Sequence, residues 1–242
     1  MIRLKKFMMA CKSVALVGLS LVMTSVVASD GGITLGNSTR IIFNGDEKRV
    51  SFPASNDTEQ DYVFHGQVLT KQLDQFSRSF IVSPEVVHLK AGESKQIQIV
   101  LLGGDMPQDR ESLFYLQGHF LPSDMNSADS TVGMRMSYVL QMKLFYRPEK
   151  LKASFDAVDK VADQLSFEFK NKILTVTNRS PYYLTLNSLF CKDIFIPTPD
   201  DKSMLEPFSN VSFAVELDEV PSLTWTLLND GGFTTEPQTK KL

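Results

Sequence analysis

The chain has 242 residues, 43% of them hydrophobic, with 25 Lys+Arg against 28 Asp+Glu and a formal net charge of −3. No basic excess marks it for nucleic acid. Its length suits one large domain or two of about 100 residues each. The first 28 residues read as a secretory signal peptide: Arg3, Lys5, Lys6 and Lys12 precede or open the apolar run Val14 to Val27, which closes on the small residue Ala28. That run falls short of the roughly 20 residues a membrane-spanning helix needs. A lipoprotein signal at Met8-Met9-Ala10-Cys11 would require the apolar run to precede the cysteine, and here it follows. Cleavage takes four of the 25 basic residues and none of the 28 acidic ones, leaving 21 against 28, a charge of −7. Nothing after Ala28 resembles a second membrane segment, so no membrane insertion is expected after cleavage. The one cysteine that remains, Cys191, cannot close an internal disulfide, and in Leu189-Phe190-Cys191 it reads as a buried, inert thiol.

Short β-rich runs follow, separated by turn signals, with no sustained helical periodicity; the fold class is all-β. Strands are expected over Thr39 to Phe43, Arg49 to Ala54, Tyr62 to Leu69, Val86 to Leu89, Gln96 to Leu102, Leu113 to Phe120 and Met134 to Tyr146, punctuated by Asn44-Gly45-Asp46, Ala91-Gly92-Glu93 and Gly103-Gly104-Asp105. This density matches an immunoglobulin-like sandwich. After Arg147-Pro148-Glu149-Lys150 the pattern restarts with Leu165 to Phe169, Ile173 to Thr177, Tyr182 to Leu186, Phe190 to Ile196, Val211 to Val215 and Leu223 to Leu228. The organisation is therefore a leader over residues 1–28, one immunoglobulin-like domain over 29–148 and a second, smaller one over 149–242.

The run from Val132 to Pro148 carries more large apolar side chains than one sheet face requires. Alternation puts Met134, Met136, Tyr138, Leu140 and Met142 on one face and Arg135, Ser137, Val139, Gln141 and Lys143 on the other. Such a stripe is either core or a rail for docking a foreign strand. Catalytic signals are lacking. His65, His88 and His119 sit singly in separate strand patterns without a metal-ligand spacing, and no phosphate loop, Gly-x-Ser-x-Gly elbow or carboxylate pair stands out, so neither an enzyme nor a cofactor is expected.

Three segments of the first domain and one of the second carry a family resemblance. Ser38-Thr39-Arg40-Ile41-Ile42-Phe43, Asp109-Arg110-Glu111-Ser112-Leu113-Phe114-Tyr115, Lys143-Leu144-Phe145-Tyr146-Arg147-Pro148 and Asn178-Arg179-Ser180-Pro181-Tyr182-Tyr183 together resemble the PapD-like periplasmic chaperones of the chaperone–usher pilus pathway. The resemblance covers essentially the whole chain after the leader. It implies two immunoglobulin-like domains in a boomerang arrangement with an interdomain cleft, a periplasmic location, and pilus or fimbrial subunits and an outer-membrane usher as partners. It implies that Arg40 and Lys143 anchor the subunit's C-terminal carboxylate. It also implies that Met134, Met136 and Tyr138, with Val132 at the outer end and Leu140 nearer the anchor, fill the subunit's open groove by donor-strand complementation.

By the same resemblance Glu111, Arg147 and Asp230 form an interdomain ion-pair network, expected as a surface network that sets orientation more than stability; Asp230 alone could equally open an Asp-Gly turn. The short connection from Pro122 to about Gly133, without cysteines, is similar to the short-loop branch of the family. A free chaperone with a sticky strand could cap itself as a homodimer. The sequence departs from the family in its acidic charge, in Glu85 where a second proline is common, and in a lone Cys191. The alternative from another class is an exported immunoglobulin-like adhesin or binding module that uses its loops.

Overall fold

The computed structural model describes residues 32–123, 136–151 and 157–242. The expected leader and the expected donor positions Val132 and Met134 lie outside them. In the first sandwich the chain runs through β1 (Ile33–Leu35), β2 (Arg40–Asn44), β3 (Arg49–Asn56), β4 (Tyr62–Thr70), β5 (Phe80–Ser83), β6 (Val86–Leu89), β7 (Glu93–Leu101), β8 (Ser112–Pro122) and β9 (Tyr138–Arg147). One sheet has the order β1-β3-β7-β5 and the other β2-β9-β8-β4-β6. Inward positions alternate along the strands as the period of two requires, so that Tyr62, Phe64, Val68 and Phe120 meet Phe52, Ile97 and Ile99 in one core. Phe80 sits edge-on to Phe43 at 5.1 Å and to Phe114 at 5.0 Å, arrangements that aromatic quadrupoles favour.

The chain changes sheets between β1 and β2 at Gly36, whose φ of 72° is left-handed and whose added Cβ would meet Met142 Cε at 2.8 Å. This switch shapes what lies downstream. β2 pairs with β9 in parallel only from Arg40 opposite Lys143 to Asn44 opposite Arg147, whereas β8 pairs with β9 from Tyr138 to Tyr146. Among the described residues, the stretch Tyr138–Met142 therefore has a partner strand on one side only.

The second sandwich contains α1 (Ala157–Val161), β10 (Leu165–Lys170), β11 (Ile173–Asn178), β12 (Leu184–Cys191), β13 (Ile194–Phe195), β14 (Met204–Leu205), β15 (Asn210–Ala214), β16 (Ser222–Leu228) and β17 (Gln238–Lys241). A sheet β10-β11-β15 faces one ordered β13-β12-β16-β17. Trp225 anchors the core between them, its indole 4.7 Å from Phe167 and its Nε1 donating to Ala162 O at 3.0 Å. Cys191 is buried here, 3% exposed.

Several elements differ from the sequence expectation. β1 is too short to alternate visibly, β5 reads as uniformly apolar over Phe80-Ile81-Val82 and β17 as uniformly polar, and α1 is too short to show helical periodicity although it buries Ala157, Val158 and Val161. The expected strand Phe190 to Ile196 is a hairpin, turned at Lys192 with φ 52°. The expected strand from Met134 begins, within the described residues, at Tyr138.

Candidate functional site

The site is built where the second sandwich meets the end of the β2-β9-β8-β4 layer. Parallel register puts Arg40 directly opposite Lys143. Arg40 is buried, 6% exposed; its Nη1 donates to Leu228 O at 3.2 Å, its guanidinium lies 5.8 Å from the Phe145 ring centroid, and its Nε has no partner. A polar group left unpaired away from water is costly, so this donor favours an acceptor. Burial pulls the Arg40 pKa down, partly offset by the charges of Asp230 and Glu111. Lys143, half-buried, is also pulled down, first by burial and then by the like charge of Arg40. Both cations border a cavity of about 280 Å³ lined by Thr39, Tyr115, Gln141, Leu228 and Gly232. Gly232 has φ 81°, and a Cβ there would meet Thr39 Oγ1 at 2.6 Å, so only glycine lets the second sandwich approach this closely.

Behind these cations, Arg147 bridges the sandwiches. Its Nε donates to Glu111 Oε1 at 2.9 Å, and its Nη1 and Nη2 donate to Asp230 Oδ2 and Oδ1 at 2.9 and 3.0 Å, a bidentate fork on one carboxylate. The Tyr182 ring centroid lies 5.0 Å from the guanidinium carbon. Glu111 Oε2 accepts the Tyr183 amide at 2.8 Å, and the Glu111 amide donates to Pro181 O at 2.9 Å. The expectation of a surface network is corrected here: Glu111, Arg147 and Asp230 are 4%, 2% and 6% exposed. Apposition of the two sandwiches excludes water from all three. Burial drives the Glu111 carboxyl pKa up, against the pull of Arg147 and the Tyr183 amide, while the two carboxylates keep Arg147 firmly protonated.

Asn178 is a contributor whose role was not read from the sequence, although its motif was noted. Buried at the end of β11, it donates through Nδ2 to Tyr182 O at 2.7 Å and Glu206 O at 2.9 Å, and its Oδ1 accepts from Ser180 N at 2.9 Å. These bonds shape the loop that presents Pro181 O and the Tyr183 amide to Glu111. Asn56 plays the same part in the first sandwich, tying Gln60 O and Lys90 O at 2.7 and 2.9 Å.

Along β9 the apolar stripe is graded. Met142 belongs to the first core, Tyr138 and Leu140 pack half-buried against its rim, and Met136 is 49% exposed. The Tyr62 hydroxyl donates to Met136 O at 3.3 Å, and the Tyr62 and Tyr138 rings lie 5.8 Å apart. The histidines do occupy separate strands, but His65 and His119 face each other directly across β4 and β8, with centroids 6.2 Å apart and His65 Nε2 3.1 Å from Glu85 Oε1. The long connection between their strands hid that pairing. No group of three or more His, Cys, Asp or Glu among the described residues is placed to hold a metal ion.

With this geometry in view, comparison with known proteins is decisive. Residues 32–152 match the model described as pili and flagellar-assembly chaperone, PapD N-terminal domain, and residues 160–239 match that of the pili assembly chaperone PapD, C-terminal domain. The chain belongs to the PapD family of pilus-assembly chaperones. Chaperone protein PsaB of Yersinia pestis is 30% identical over 219 residues, 81% of this chain and 78% of PsaB. Chaperone protein FimC of Escherichia coli O6:H1 is 28% identical over 228 residues, 93% of this chain and 91% of FimC. Among solved structures, the complex of the Salmonella enterica SafA pilin with the SafB chaperone matches with a TM-score of 0.75 and 25% identity, covering 87% of this chain and 96% of that one. Escherichia coli DraB shares the fold, with a TM-score of 0.74 and 23% identity over 88% of this chain and 98% of its own. PapD-family relatives are thus named chaperones, and the adhesin alternative gives way to this family.

Proposed function

We propose that this PapD-family chain is a periplasmic chaperone that lends strand β9 to an incomplete pilus subunit, anchors the subunit's C-terminal carboxylate on Arg40 and Lys143, and passes it to an outer-membrane usher. The observation that carries the reading is that β2 stops pairing with β9 at Arg40 and Lys143, so an open backbone edge begins beside two partly desolvated cations. A strand added along Tyr138–Met142 with its carboxylate at those cations must run parallel to β9, continuing the line that β2 occupies. The unpartnered Arg40 Nε and the Lys143 ammonium then gain charge-assisted acceptors. Solved pilin–chaperone pairing in SafA–SafB supports subunits as the partner class. No cofactor is required.

Arg40→Ala tests the anchor. Loss of charged hydrogen bonds of this kind is worth about 1.5–3 kcal/mol, so recovery of a coexpressed pilus subunit with the chaperone falls by about one to two orders of magnitude while the chaperone stays folded. Unchanged recovery rejects the anchor.

The depressed Lys143 pKa adds a pH dependence. The ammonium is the form that attracts a carboxylate, and it is lost as pH rises through a value below the ordinary lysine range. Affinity for a subunit's C-terminal peptide therefore falls on the alkaline side earlier than a solvated lysine would dictate. A Lys143→Arg variant, which keeps its charge, flattens that limb in an affinity-versus-pH titration; an identical limb in both proteins removes Lys143 from the anchor.

A further inference from the structure

Among the described residues, polar contacts join the second sandwich to the end of the β2-β9-β8-β4 layer on the β2 side, at the centre and on the β4 side, around an apolar contact of Phe145 with Tyr183 at 5.4 Å, and their chemistry differs. On the β2 side Ser38 Oγ donates to Gly231 O at 3.0 Å and Arg40 Nη1 to Leu228 O at 3.2 Å, both partly buried. At the centre stands the buried Arg147 node. On the β4 side Lys71, the residue after β4, forms an ion pair with Glu206, and the Arg110 guanidinium lies 5.0 Å from the Phe208 ring centroid. The Lys71 and Glu206 side chains are 39% and 49% exposed, so salt reaches this contact and not the node.

The loop carrying Glu206 and Phe208 is held for this contact. Phe208 has φ 54°, a left-handed conformation that costs a bulky residue energy and persists only where its surroundings impose it. Those surroundings are present: Glu206 O accepts from the buried Asn178 Nδ2 at 2.9 Å and from Ser209 Oγ at 2.8 Å, and the Phe208 amide donates to Ser180 O at 3.2 Å. Asn178 thereby holds both the Glu111 contact and the exposed one.

We propose that Lys71–Glu206 and Arg110–Phe208 form a salt-sensitive clasp that fixes the rotation of the second sandwich about the Arg147 node. Because Leu228 and Gly232 face Arg40 and Lys143 across the cleft, the clasp also sets the cleft's width. The clasp stands on geometry alone; only its consequence for subunit binding rests on the function proposed above.

The test is made on the free chain, so it is independent of any subunit. In the chain without residues 1–28, which hold Cys11, spin labels at the exposed positions Glu59→Cys and Glu216→Cys, one in each sandwich, report the interdomain distance by double electron–electron resonance; Cys191, 3% exposed, stays unlabelled. At about 0.01 M salt, where the screening length is about 30 Å, a narrow distance predominates; at about 1 M, with about 3 Å, the distribution shifts and broadens. Lys71→Glu gives the high-salt distribution already at low salt, and adding Glu206→Lys restores the narrow one. Phe208→Ala broadens it at both salt concentrations. An unchanged distribution in Lys71→Glu or Phe208→Ala, or a reversed pair that fails to restore the narrow distance, overturns the clasp.

Discussion

Replacing Arg147 with alanine lowers the stability of the folded chain by about 3–5 kcal/mol, the range for removing one partner of a buried ion pair. The loss exceeds that of an exposed pair, about 0–1 kcal/mol, because the carboxylates left behind are themselves buried. Glu111 retains only the Tyr183 amide at 2.8 Å, and Asp230 loses both prongs of its fork. With the cation gone, burial raises the Glu111 carboxyl pKa further above its unfolded value. A group whose pKa is raised by folding favours the folded state below the unfolded pKa and ceases to do so as pH rises through the folded value. The loss is therefore greatest at neutral and alkaline pH and shrinks as acid protonates Glu111. Urea unfolding of the native protein and the variant at a series of pH values checks this. A loss under about 1 kcal/mol with a pH profile parallel to the native one would mean that the trio behaves as an exposed network.

The contrast between these figures shows where the sequence is readable. Strand content is local: β4 and β8 alternate cleanly, and Leu144-Phe145-Tyr146-Arg147-Pro148 advertises both a strand and its end. The partners of Arg147 were legible only through family motifs, because Glu111 and Asp230 lie far from it along the chain. Their burial was not legible at all, since it arises where the two sandwiches meet. The same reason hides Lys71–Glu206, 135 residues apart, whereas the facing of His65 and His119 within one sheet is hidden by the long connection between β4 and β8. Asn178 stands between these cases. Its motif is visible in the sequence, but its work consists of backbone bonds to Tyr182 and Glu206, which no side-chain pattern encodes.

The stripe on β9 tests the function most sharply at Met136. Met142 is core and Tyr138 and Leu140 lean on it, so substituting any of these damages the chaperone itself and separates nothing. Met136, 49% exposed, is different. Met136→Glu leaves a solvated carboxylate in the free chain, so its stability changes by no more than about 0.5 kcal/mol. In a subunit groove the same change removes a buried side chain worth about 1.5–3 kcal/mol and forces a charge out of water at several kcal/mol more. Together these effects exceed the anchor's contribution, and coexpressed subunit is lost from the chaperone rather than reduced. Met136→Leu keeps the apolar volume and retains the complex. Val139→Glu supplies the matching charge on the opposite face, 57% exposed, and retains it as well. If Met136→Glu and Val139→Glu recover equal subunit, the alternation has no meaning for binding and β9 is not the lent strand. If both lose it equally, repulsion by added charge explains the result and the groove contact does not.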